Sequence, residues 1–317
     1  MGRHNLSTSN FKEIWKFILK LLLFLGITAG FLLHLSPQYL GNYQASLIDK
    51  VQRLENIHEP KIVLIGDSNL AFGIDSEKIE EAFGMPVVNM GLHGGLGNAF
   101  HEEMTRLNVT EGDIYIICHC SYSDDGQLKN KELAWITLEN HPSLWKILRK
   151  EDYLPMLKSY PVYLKKCIAL WLTDSGNQMD EGVYSRAAFN EYGDIEWADN
   201  GQEYVFKDGD IFVPQISDNV CDRLNELNIY LKERGATLLI AGYPITQIDS
   251  TPEAGLYMEF QKELEEKLNA PVISDFIDYF YPENYFLNTE YHLNTVGKKA
   301  RTNQLISDIQ RYFEDFS

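Results

Sequence analysis

A chain of 317 residues with 44% hydrophobic and 12% aromatic side chains carries enough apolar material for a sizeable core, which excludes a disordered protein. Acidic residues outnumber basic ones by 46 to 28, a formal net charge of -18, so the surface repels phosphate backbones and nucleic acid is excluded as a partner. No internal repeat or low-complexity tract interrupts the chain.

The stretch Phe17 to Leu35 is apolar apart from Lys20 and His34, close to the ~20 residues that span a bilayer. Arg3, Lys12 and Lys16 precede it, whereas Ser36 to Leu47 carry no charge. The positive-inside rule then predicts a cytoplasmic tail and single-pass membrane anchor over residues 1–37, with everything after about Gln38 extracytoplasmic. A cleaved signal peptide is the rival, but the apolar run exceeds a usual h-region and no A-x-A site follows. Residues 38–60 read as a stalk, helical over Tyr43 to Glu59, and residues 61–317 as the main domain.

Lys61 to Ile65 is short, β-branched and almost continuously apolar, the pattern of a parallel strand covered on both faces. A helix capped by Asp75 or Ser76 runs to Phe83, with Gly84 as its stop. Pro86 to Met90 and Asp113 to Cys118 are the next strands. Ser217 to Arg234 is an amphipathic helix, Ala236 to Ala241 a strand, Glu259 to Leu268 a helix, Pro271 to Ser274 a last strand, and Thr295 to Phe313 a closing helix. Regular alternation of strand and helix predicts an α/β fold, a doubly wound three-layer parallel sheet of flavodoxin-like type. Residues 127–215 break the pattern and read as a helical, aromatic-rich insertion over the carboxyl ends of the strands, where open sheets place ligands. Its Trp135, Trp145, Trp171, Tyr184, Tyr192 and Trp197 either line that site or form the insertion's own small core.

Four cysteines, Cys118, Cys120, Cys167 and Cys221, suggest disulfides in an outside compartment, yet Cys118 and Cys120 share one face of a strand and cannot easily bridge. Free thiols are expected. Strand alternation also turns His119 away from both cysteines, so these residues with His93 do not converge as a metal site, and neither metal nor cofactor is expected.

The sharpest motif is Gly66-Asp67-Ser68-Asn69, directly after the first strand and before a helical stretch. A serine on such a turn exposes its hydroxyl at the sheet's carboxyl edge. A serine nucleophile needs a base, and Tyr291-His292-Leu293-Asn294 stands before the closing helix. Together these blocks resemble the SGNH (GDSL-like) hydrolase superfamily, over roughly residues 61–126 and 236–317. Val88-Asn89-Met90-Gly91-Leu92-His93-Gly94-Gly95 is similar to the family's second block. The resemblance implies Ser68 as nucleophile and His292 as base, with the N–H groups of Ser68 and Gly91 as the oxyanion hole. Asp67, Asn69, His93 and Tyr122 are the expected pocket residues.

Two positions depart from the family's pattern. Its third block offers an Asn to the oxyanion, whereas Cys118-His119-Cys120-Ser121 stands here. Its acid precedes the histidine by three residues, and Thr289 holds that place. Glu290 and Asn288 flank it and are the two candidate partners of the imidazole, with Glu290 favoured for its charge. The implied function is an extracytoplasmic serine acyl-esterase or O-acyltransferase on a cell-surface polysaccharide or teichoic-acid-like glycan. The alternative is a non-catalytic glycan-binding or scaffold partner of a polytopic membrane acyltransferase.

Overall fold

The computed structural model describes residues 8–35, 37–139, 141–173, 182–196, 206 and 211–315. Helix α1 (Thr8–Leu35) contains an apolar stretch, Phe11–Leu35, of mean hydropathy 2.1, long and apolar enough to cross a membrane. It begins earlier than the sequence pattern suggests. Its side chains are exposed almost throughout, and among those described only Thr28, Leu32 and Leu35 lose part of that exposure.

Four parallel strands form the central sheet: β1 (Ile62–Gly66), β2 (Val87–Asn89), β3 (Ile114–Cys118) and β4 (Thr237–Ile240), in the order β2-β1-β3-β4. The expected last strand is reduced to one parallel bridge, Val272 with Ile240. All five residues of β1 are buried, because its pleat sends alternate side chains into two separate cores. Val63, Ile65, Tyr115, Ile117 and Leu238 meet helices α2 (Leu47–Asn56), α5 (Asn98–Met104), α8 (Asp218–Lys232) and α9 (Ala254–Lys267). Ile62, Leu64, Ile114, Ile116 and Leu239 meet α4 (Ser76–Phe83) and α10 (Thr295–Asp315). The domain is therefore mixed α/β with helices on both faces of a parallel sheet.

Residues 43–56 are not a stalk. Leu47, Val51 and Leu54 recur at helical spacing and are fully buried against the sheet, as is Tyr43 just before them. Lys50, on the same helix, donates from its buried Nζ to the carbonyls of Asn89 (2.8 Å) and Gly193 (2.6 Å). Burial lowers its pKa to about 7, against the pull of Asp194 and Asp49.

The insertion contributes α6 (Lys131–Leu138) and α7 (Lys150–Leu172). Trp135 packs on Trp145, Tyr160 and Tyr163, so these aromatics are the insertion's own core. Trp171 is exposed, Tyr192 lies beneath the Arg53 guanidinium, and Trp197 falls outside the described residues. Two short strands absent from the sequence reading, β5 (Ile245–Gln247) and β6 (Phe280–Pro282), pair in parallel beside the main sheet. At three residues each they are too short to show a period.

Candidate active site

The turn after β1 is tight. A Cβ on Gly66 would lie 2.9 Å from Leu70 Cδ1 and 3.0 Å from the Cys118 carbonyl, so only glycine lets the chain swing directly into α3 (Ser68–Gly73). Asp67 caps that helix, its Oδ1 accepting from Asn69 N–H at 2.8 Å. Ser68 follows, half-buried at the carboxyl edge of the sheet. Asn69, expected to line the pocket, is instead fully buried: its Nδ2 donates to Asp67 Oδ1 and to the Cys118 carbonyl, and its Oδ1 accepts from Arg301. It holds the turn from beneath.

The histidine arrives on a hairpin. Phe286 and Leu293 bridge antiparallel, Leu287 N–H donates to the His292 carbonyl (2.8 Å), and Thr289 Oγ1 accepts from the N–H groups of Tyr291 and His292. Thr289, at the family's acid position, thus closes the turn. His292 Nε2 lies 2.9 Å from Ser68 Oγ, and Nδ1 lies 2.8 Å from Asn288 Oδ1. Of the two candidate partners it is Asn288 that meets the imidazole. Charge favours Glu290 in the sequence, whereas the turn closed by Thr289 sets side-chain direction here. Glu290 lines the cleft, and its carbonyl accepts from Thr246.

Proton positions follow from the amide. Asn288 Nδ2 donates to Tyr184 Oη at 2.9 Å and its oxygen faces the ring, an arrangement that matches a hydrogen on Nδ1. Nε2 is left with its lone pair toward the Ser68 hydroxyl. Tyr184 comes from the insertion, which therefore reaches the site through an aromatic that composition alone does not single out. Phe72 stacks on the His292 ring at 4.0 Å and 9°. Burial pushes the His292 pKa down to about 4, opposed by the attraction of Asp67 and assisted by repulsion from His93. The ring is neutral at neutral pH, as a general base must be.

The opposite side of Ser68 differs from expectation. Gly91 N–H donates to Asn89 Oδ1 at 2.9 Å, inside the core, and is not an oxyanion donor. Glycine is needed there for room: a Cβ would lie 2.7 Å from Ala71 N and 3.0 Å from the Asp67 carbonyl. Asn89 in turn braces Leu70 and Asp194 through its Nδ2. Gly94, three residues on, lines the cleft beside Asp67 and Ser68, and no acceptor among the described residues pairs with its N–H. The signal that could have found it is the glycine pair Gly94-Gly95, which closes the second block three residues after Gly91. His93 lines the cleft as expected, with Nδ1 accepting from Gly95. Tyr122 does not: it is fully buried against His119 and Phe260.

Cys120, just beyond the end of β3, points its thiol at Asp67 Oδ2 (2.8 Å). Burial would raise the Asp67 carboxyl, but bonds from Cys120 and Asn69 and the nearby His101 hold it below the usual carboxylate range. Burial and that same carboxylate push the Cys120 thiol well above its ordinary value, so it stays protonated. All four cysteines are free, and His119 turns away from Cys120 to lie 3.3 Å from Glu102.

These groups open into a cleft of about 430 Å³, walled by Tyr43, Tyr184, Phe212 and Tyr291 with Lys129 and Glu290 at its polar margin. No protein-family model matches this chain. Nor does any curated protein match it in sequence.

Proposed function

We propose that this chain is a serine acyl-esterase or O-acyltransferase of SGNH type. The observation that carries the reading is the continuous relay from Ser68 Oγ through His292 to Asn288 and Tyr184. In it, Nε2 removes the hydroxyl proton as Oγ attacks an ester carbonyl, and returns a proton to the leaving alcohol. Ser68 and Gly94 line the cleft, and in this reading their N–H groups serve the tetrahedral oxyanion. The acyl group then passes from Ser68 to water or to a second hydroxyl.

Aromatic walls suit the apolar faces of sugar rings, which supports a glycan as the ester's carrier. The apolar run Phe17 to Leu35 of α1, preceded by Arg3, Lys12 and Lys16, supports a single-pass membrane protein with its domain outside the cytoplasm and a cell-surface polysaccharide or teichoic-acid-like polymer as substrate. A polytopic acyltransferase partner would fit transfer rather than hydrolysis. Mapping the accessibility of cysteines introduced beyond Gln38 tests that orientation; a cytoplasmic result rejects the extracellular substrate.

The direct experiment is labelling of the full chain by a fluorophosphonate probe. We expect labelling of the wild type, and a loss on the order of 1,000-fold in both Ser68→Ala and His292→Ala. Equal labelling of wild type and Ser68→Ala overturns the assignment. A second reading, a non-catalytic glycan-binding domain, draws on the internal bond that occupies Gly91 N–H. It is favoured if the wild type is not labelled yet still binds glycan.

A further inference from the structure

Helix α7 carries two apolar faces, and among the described residues only one is fully buried by the fold. Met156, Tyr163 and Cys167 are buried against the insertion's core. On another face Leu154, Leu157, Pro161, Leu164, Ile168 and Leu172 recur every three or four residues, an uninterrupted stripe five turns long. Leu154, Leu157, Pro161 and Leu172 are exposed, 68% at Leu157 and 71% at Leu172, while Leu164 and Ile168 are half-buried. Exposed Tyr153 and Trp171 stand near its two ends. Lys158 and Lys165 follow Leu157 and Leu164 directly and are also exposed. From Tyr153 to Leu172 there is no Asp or Glu, in a chain that has 46 of them.

The position of this stripe is fixed by α1. That helix packs on α7. The chain leaving it is clamped in the same place: Gln38 and Tyr39 N–H groups donate to Glu139 Oε1 at 3.2 and 3.3 Å, the other oxygen of Glu139 accepts from Tyr163 of α7, and the Tyr39 ring stacks on Tyr163 at 6.1 Å. A helix held where a membrane-spanning segment ends lies at the lipid surface.

We infer that α7 is an interfacial helix that seats the domain on the outer face of the bilayer, its Leu154 to Leu172 stripe among the acyl chains and Lys158 and Lys165 at anionic phospholipid headgroups. The inference rests on α1 spanning the membrane. An amphipathic helix with leucines on one face, lysines at its margin and aromatic residues near its ends has the composition that partitions into this zone. The seat would also fix the height of the catalytic cleft above the membrane, because α6 and the Tyr163–Glu139 contact join α7 to the domain. A substrate presented close to the lipid surface is thereby favoured over one far from it.

The test is photocrosslinking of the full chain, reconstituted into vesicles containing a phospholipid with a diazirine high on its acyl chain, with labelled peptides identified by mass spectrometry. We expect label in α1 and α7 and none in α9, whose Leu256 and Met258 are also exposed. Adding phosphatidylglycerol to phosphatidylcholine vesicles should raise α7 labelling about three-fold and leave α1 labelling unchanged. Leu154→Gln with Leu157→Gln and Leu172→Gln, all at exposed positions that leave the core intact, should cut α7 labelling about ten-fold. Label in α1 without α7 overturns the interfacial seat while leaving the anchor standing. Label in neither rejects the spanning helix as well. Protection of α7 in a dimer, seen as a doubled mass, also overturns the proposal.

Discussion

The two sides of Ser68 are built on different principles. On the base side every group is neutral: the chain from Tyr184 through Asn288 and His292 to the serine hydroxyl is a relay of uncharged hydrogen bonds. The charge sits on the cleft side, in the Asp67 carboxylate that Asn69 and Cys120 hold ionised. Where a triad places its anion behind the imidazole, this site places one beside the nucleophile. Asp67 is the group that pulls the His292 pKa upward against burial. The difference teaches that imidazolium support and imidazole orientation need not come from one residue. Orientation requires a bond to Nδ1, whereas support requires only an anion close by in a medium of low polarity.

The largest expected effect lies in stability and involves buried histidines near both sides. His292 and His101, the latter with neither ring nitrogen paired among the described residues, are each lowered by burial to about 4. The unfolded chain binds their protons below about pH 6.5 while the folded chain refuses them until about 4, so stability falls as pH drops through that window. A loss on the order of 3 kcal/mol per histidine is expected, read from urea midpoints between pH 7 and 4. A flat profile would mean that these rings are protonated in the fold.

Asn288 divides orientation from charge. Asn288→Ala should lower kcat/KM on an activated acetyl ester by roughly 10- to 100-fold through a lost orienting bond. Asn288→Asp restores an anion behind the ring, so the acid limb of the pH–rate profile should move upward from about 4 by about one unit or more, with activity at neutral pH kept or raised. An unmoved limb breaks the comparison. Asp67→Asn keeps the helix cap but removes the charge. The acid limb should then move down rather than up, and the rate should fall about 3- to 10-fold. The smallest change is expected from Glu290→Gln, about two-fold or less in kcat/KM, since its carboxylate does not meet the imidazole. A large loss there would return the acid role to Glu290.

Much of this was legible in the amino-acid order. The apolar run before Gly66 placed Ser68 at a strand end, and His292 before the closing helix completed the pair. Regular periodicity also located β2, β3, β4, α8 and α10. What escaped depended on side-chain direction within turns. Asn288 and Glu290 are indistinguishable along an extended chain, and only the Thr289 turn separates them. Gly91 carries the second block's pattern, yet Asn89 draws its N–H inward and Gly94 meets the cleft instead. The α2 helix was misread because its polar residues masked three apolar positions at helical spacing. Tyr184 stood among six aromatics with two open roles, because composition cannot tell a core aromatic from one that reaches the amide beside His292.

The buried Arg301 has a temporal consequence. Its guanidinium, fully enclosed, donates from Nη1 to the Asn69 carbonyl at 2.6 Å and from Nη2 to Asn69 Oδ1 at 2.7 Å, and so ties α10 to the residue beside Ser68. Synthesis runs from the N-terminus, and Ser68 leaves the ribosome more than two hundred residues before its base and this brace. A nascent or prematurely terminated chain holds the serine without the means to ionise it. On the proposed reading, the serine and its base come together only after the segment carrying His292 and Arg301 has been made.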